Sequence, residues 1–112
     1  MAKKRIILEM GAGNDLHGGD YTKAACRAVD DALHHSSLTF IRTLGVDKAK
    51  LLVGVTIGVQ APGEVDTDAV KARFPFGEVT VRAVKGGLDV PDEVIGDVAV
   101  IASAAVEVCL AD

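Results

Sequence analysis

The run Gly11-Ala12-Gly13-Asn14-Asp15-Leu16-His17-Gly18 holds the residues of this chain best suited to chemistry. Imidazole moves protons near neutral pH and binds metals through either ring nitrogen. A carboxylate two positions away can orient that ring or share a cation with it. Glycine bends freely and lets the backbone approach a ligand closely. Four glycines, Gly11, Gly13, Gly18 and Gly19, interleave here with Asp15, His17 and Asp20. We read His17 as the acid/base or a metal ligand, and Asp15 as its orienting group or a second ligand. Gly11, Gly13, Gly18 and Asp20 then line the ligand. The plain alternative is a turn in which Asp15 closes an Asx-turn and His17 bonds a backbone carbonyl.

Asp15-x-His17 supplies two metal ligands, and a tight site needs more. Asp20, Glu9 or a neighbouring subunit are the sources of a third. Zinc, iron or manganese is the candidate cofactor. Several carboxylates nearby favour a cation, a metal or a ligand with N–H donors over an anion, and Lys85 offsets only one of them. A dinucleotide loop fits poorly. Leu16 stands where the third glycine of that fingerprint belongs, and Gln60, not an acid, ends the second strand.

The elements that must position these residues follow from the pattern. Arg5 to Met10 is apolar on both faces and predicts a strand leading into the glycine loop. Asp20 suits the N-cap of a helix running to about Ser36. Tyr21, Ala24, Ala25, Ala28, Val29, Ala32 and Leu33 form its apolar stripe, and Lys23, Arg27, Asp30 and Asp31 lie off its centre. His34 and His35 fall in the last turn, where a cation suits the dipole. That helix is about 22 Å long at roughly 1.5 Å per residue, so the pair ends far from His17. Leu38 to Leu44 extends the helix or forms a short second one. Leu51 to Gln60 predicts a strand closed by Ala61-Pro62-Gly63. Asp66 caps a short helix to about Phe74. Glu78 to Lys85 alternates as a strand does. Gly86 to Gly96 reads as a loop. Asp97 to Leu110 favours strand, with Ala102 to Ala105 leaving a helical ending open.

The expected fold is an α+β two-layer domain spanning residues 1–112. It has a four-stranded mixed sheet in the order β-α-β-α-β-β, with both helices on one face and two parallel crossovers. Strand C-termini then gather Glu9, Gln60 and Lys85 beside the glycine loop, together with the start of the last strand, where ligands of such sheets bind. Gln60 and Glu9 join the ligand-binding set, and Lys85 becomes an electrostatic partner of His17. Glu9 and Glu107 interrupt apolar strands, and Arg82 or Lys85 could pair with them. The second sheet face has nothing left to cover it, which calls for a homo-oligomer.

Bulk composition narrows the function classes. Aromatics make up 4% and Trp is absent, so Val, Ile, Leu and Ala must build the core. The net charge of −4, with no basic stripe, argues against a nucleic-acid or anionic-membrane surface. No apolar run is long enough to span a membrane and no signal peptide is evident, so a cytoplasmic location is expected. Cys26 and Cys109 lack paired spacing and should be reduced.

The motif G-x-G-x-D-x-H-G, here Gly11, Gly13, Asp15, His17 and Gly18, resembles that of a family of short conserved hypothetical proteins of bacteria and plants. Asp20-Tyr21-Thr22-Lys23-Ala24-Ala25 and His34-His35 fit the same family, and the length agrees. The resemblance implies a functional site at the loop. Asp15 and His17 are also similar to the zinc-binding Asp and His of the cyclodiphosphate synthase of isoprenoid synthesis. Ser103-Ala104-Ala105-Val106-Glu107 and Val59-Gln60-Ala61-Pro62 are similar to parts of one repeating unit of the cyanuric acid hydrolase and barbiturase amidases. In this chain alanines stand where that unit has glycines, and its lysine is missing before Pro62. That likeness implies a trimer in place of a three-repeat chain. The leading expectation is a small-molecule hydrolase or lyase using His17, Asp15 and Lys85. A non-catalytic small-molecule or metal-binding module, or a structural assembly subunit, is the alternative.

Overall fold

The computed structural model describes residues 4–34, 51–75 and 77–110. His35 and the segment Leu38 to Leu44 lie outside them. Five strands form one mixed sheet: β1 (Lys4–Asp15), β2 (Leu51–Val59), β3 (Glu78–Lys85), β4 (Leu88–Asp92) and β5 (Asp97–Leu110). Helix α1 (Tyr21–Leu33) and the short α2 (Thr67–Lys71) lie on one side of it, as expected. No helix among the described residues is long and apolar enough to cross a membrane.

The pairing differs from the sequence expectation. The order is β1-β5-β2-β3, with β4 also on β5. Strand β5 inserts between β1 and β2, antiparallel to both, so β2–β3 is the one parallel pair among the described strands. The physical reason lies in β5 itself, which is apolar on both faces and so takes the middle of the sheet. Its whole length is strand, and no helical ending occurs. The fifth strand, β4, falls within the stretch read as a loop. It takes over from β2 along β5, pairing Leu88 with Ile101 just beyond the Gly58–Ser103 pair.

The first strand also runs further than expected. Gly11 and Gly13 lie within β1, opposite Ala104 and Ala102. Neither has positive φ, whereas Gly18 and Gly19 do, at 91° and 61°. What Gly11 and Gly13 provide is space. A Cβ on Gly13 would lie 2.3 Å from the Ala28 nitrogen, and one on Gly11 2.4 Å from the Ala28 oxygen. Ala24, Ala28 and Ala32 are fully buried over this groove. Small residues on helix and strand thus let α1 sit directly on β1 backbone. This replaces their expected role as flexible ligand-lining positions.

Asp20 caps α1 by accepting the Lys23 N–H at 3.0 Å, and Asp66 caps α2 through the amides of Asp68 and Ala69. His34 closes α1, with its backbone N–H bonded to the Asp30 and Asp31 carbonyls. Two α1 side chains reach past the sheet edge. Asp31 accepts the Ala12 N–H at 2.9 Å, and Arg27 donates to the Asn14 carbonyl at 2.7 Å. Open backbone groups of an edge strand invite pairing with another chain, and α1 occupies these two. Val, Ile and Leu of β2 and β5 complete the core, with Leu51, Val53, Val55, Ile57, Val100, Val106 and Val108 all buried.

Candidate functional site

Five residues after β1 make the turn into α1, and the site is built there. The carboxylate of Asp15 is buried at the strand end. Its Oδ2 accepts the Asp20 N–H at 3.0 Å. Its Oδ1 faces Lys23 Nζ at 3.6 Å and Arg27 Nη1 at 4.0 Å. Asp15 therefore ties the start of α1 to the end of β1 and is compensated by two cations.

His17 turns the other way. Its Nδ1 lies 3.1 Å from Asp97 Oδ2 at the start of β5. The second oxygen of Asp97 accepts the Gly18 N–H at 2.9 Å and the Val98 N–H at 2.8 Å. The positive φ of Gly18 lets its amide reach that oxygen. These two amides, and after them His17, hold the Asp97 carboxyl below its usual range. An ionised carboxylate only accepts, so the neutral ring must carry its proton on Nδ1 and present a bare Nε2. The ring is 79% exposed and Asp97 26%. An imidazole fixed by a carboxylate, with its second nitrogen open, can act as general base, general acid or nucleophile.

Tyr21 anchors the far wall. Its hydroxyl donates to Asp89 of β4 at 2.6 Å, which ties the β4–β5 hairpin to the N-terminus of α1. Donation to this carboxylate, with burial and the charges of Asp89 and Glu64, pushes the phenol up to about 12. A groove of about 530 Å³ runs between Leu16, His17 and the hairpin, past Val90, Ile95 and Asp97. A smaller recess of about 270 Å³ lies on the α1 side, lined by Asp15, Leu16, His17, Lys23 and Arg27. No Ser, Thr or Cys stands among the described residues lining either.

Several residues expected at the site are elsewhere. Lys85 ends β3 beside Val59, one step past the Gly58–Ser103 pair and so level with Ala102 on β5. Asp97 is five positions further along β5, about 16 Å at roughly 3.3 Å per residue. The insertion of β5 and β4 thus separates Lys85 from His17. Gln60 donates to the carbonyls of Gly86 and Gly87 at 3.0 and 3.3 Å, locking the β3–β4 connection. Glu9 pairs with Val106, nine positions from Asp97 on β5. That distance is about 30 Å, so Glu9 is no part of this site. Asp20 is a helix cap. Glu107 pairs with Arg5 at 3.3 Å, not with Arg82 or Lys85. Arg82 instead donates to the Thr56 hydroxyl.

The metal pair separates as well. Asp15 and His17 are engaged on different partners. No group of three His, Cys, Asp or Glu side chains among the described residues could hold a metal ion. Cys26 and Cys109 are both free thiols, half-buried and buried. The start of the last strand is expected at this edge, but nothing in the sequence singles out Asp97 as the partner of His17. It lies 80 positions from His17, and only the antiparallel pairing of β5 with β1 brings the two together.

Fold and turn together define a small α+β protein carrying a His–Asp pair where the first strand meets the first helix. The chain belongs to a conserved hypothetical protein family, Lin0512_fam, whose model matches residues 5–108. It is similar to an FtsZ-like protein of unknown function from Nostoc punctiforme, known from its crystal structure. The two are 34% identical with a TM-score of 0.85, over 100% of this chain and 99% of that one. No curated protein matches the chain.

Proposed function

We propose that this chain is a small-molecule enzyme, a hydrolase or lyase, in which His17 is the acid/base and Asp97 positions it. The observation that carries this reading is the 3.1 Å contact between His17 Nδ1 and an Asp97 carboxylate already fixed by two backbone amides. Such an arrangement leaves Nε2 as a base on an exposed ring at the groove. With no hydroxyl or thiol lining the recesses, the base takes a proton from water or from the substrate itself, not from a nucleophilic side chain. Asp15 acts on the scaffold side, and Lys85 has no part.

Hydrolysis of p-nitrophenyl acetate tests the base directly. The wild-type protein should turn the ester over at least about tenfold faster than His17→Gln, with Asp97→Asn slowed toward that variant. His34 and His35 are retained in every variant, so the difference reports His17 alone. Equal rates in wild type and His17→Gln would remove the base.

A second reading, assembly, has its own observation. Register places Leu8, Met10, Val84 and Leu88 on the sheet face opposite α1, and all four are exposed. Between them lie Ala12, Ala105, Gly54, Gly58 and Ser103, which leave two shallow depressions of about 550 and 370 Å³. Such a broad apolar face suits another copy of this chain. Homo-oligomerisation, with a trimer as the expected order, accompanies the enzymatic reading and does not replace it.

A further inference from the structure

The two recesses beside His17 differ in charge and polarity, and that difference bears on the substrate. The larger is walled by Leu16, Val90, Ile95 and Val98, with Asp92 and Glu93 at its hairpin end. Leu16, Val90 and Ile95 are 60%, 52% and 63% exposed, an apolar wall without cover in the free chain. The smaller recess contains one carboxylate and two permanent cations. Asp15 is buried, and its oxygens are already taken by the Asp20 amide and by the cations themselves. One positive charge is left over. Lys23 and Arg27 are half-exposed, so both can reach a ligand.

Their placement favours this use. Residues four apart share one face of a helix, and like charges there repel. A bound anion relieves that repulsion. The bond from Arg27 Nη1 to the Asn14 carbonyl fixes the guanidinium and leaves its other N–H groups for a ligand. A guanidinium meets carboxylate or phosphate with paired N–H donors. The expectation of a cation, a metal or an N–H donor ligand rested on Asp15, Asp20 and Glu9, but the first two carboxylates are engaged within the fold and Glu9 lies far along β1.

We propose that Lys23 and Arg27 form an anion subsite. It holds the carboxylate or phosphate head of the substrate, while an apolar body lies along Leu16, Val90 and Ile95 past His17 Nε2. This rests on the reading of His17 as the reactive group, but it can fail separately. The test is an NMR titration of the intact protein with hexanoate and with hexyl phosphate, following the His17 ring and the amides of residues 16–27. Hexanol and inorganic phosphate are run alongside. Both hexyl anions should bind saturably, and the stronger of them identifies the head group. Hexanol and phosphate alone should each bind about tenfold more weakly. Lys23→Gln leaves the Arg27 bond to Asn14 in place and should weaken both hexyl anions about tenfold without affecting hexanol. Hexanol binding as tightly as hexanoate, no saturable binding of either anion, or unchanged anion affinity in Lys23→Gln would each overturn the subsite. His17→Gln should still bind the anions. Loss of ester hydrolysis with anion binding retained therefore separates the two proposals.

Discussion

Substitution of Gly13 by alanine tests how the first strand and helix are joined. The new Cβ would lie 2.3 Å from the Ala28 nitrogen, 2.5 Å from the Ala24 oxygen and 2.6 Å from the Arg27 carbonyl carbon. All three are backbone atoms, so no rotamer change relieves the clash. Ordinary contact begins at 3.4 Å, so α1 must withdraw by more than 1 Å. A gap of that size forfeits a quarter to a half of the dispersion well for the atoms facing it. The side chains of Ala24, Ala28 and Ala32, fully buried at this seam, bear the loss. Overpacking of this kind costs about 1–3 kcal/mol and occasionally more. We take the upper end, about 3 kcal/mol, because backbone cannot yield. Alanine regains about 0.5–1 kcal/mol of the entropy that glycine loses in a strand. The net loss is about 2 kcal/mol, which at about 4 °C per kcal/mol lowers the melting temperature by about 8 °C. Thermal unfolding followed by circular dichroism measures it. Gly54→Ala is the control, since a Cβ there meets nothing within 4 Å although Gly54 also lies in a strand. Gly54→Ala should melt at or above wild type. A Gly13→Ala protein melting within about 2 °C of that control would refute the close-packing account.

Tyr21 is the sole tyrosine and there is no tryptophan, so phenolate absorbance reports this side chain alone. Its alkaline titration should centre near 12 and move toward 10 in Asp89→Asn. The folded value is raised, so the Tyr21–Asp89 bond stabilises the fold fully below about pH 10. That contribution is lost as pH rises from there through about 12. A midpoint near 10 in the wild-type protein would show that the hydrogen bond is not kept in solution. For assembly, the wild-type chain should sediment as an oligomer, and Met10→Glu, which places a charge on the sheet face opposite α1, should sediment as a monomer with the fold retained. A wild-type chain that sediments as a monomer at micromolar concentration rules out the second copy.

Much of the architecture was legible because periodicity and caps speak locally. Asp20 and Asp66 announced the starts of both described helices, and the alanine stripe of α1 marked its buried side. Strands β2, β3 and β5 announced themselves by apolar runs or alternation. Strand β4 did not, because Asp89, Pro91 and Asp92 give Leu88–Asp92 the composition of a loop. Gly11 and Gly13 misled for a related reason. Glycine in a strand is costly unless another backbone must come close, and that backbone belongs to α1. The site was legible by half. Asp15 and His17 stand out by type and spacing, but the orienting carboxylate, Asp97, comes from the far end of a strand whose pairing no local signal reveals. Lys85 was misplaced by the same gap. With β1 and β2 taken as neighbours, the ends of β1 and β3 draw together. With β5 between them, they do not.

The central claim is that Asp97 holds His17 with its proton on Nδ1 and its Nε2 free. Proton–nitrogen correlation NMR of the imidazole, assigned by comparison with His17→Gln, reads the tautomer directly. At a pH where the ring is neutral, His17 should be protonated on Nδ1, and Asp97→Asn should remove that preference. A neutral His17 protonated mainly on Nε2, or a tautomer indifferent to Asp97→Asn, would contradict the account.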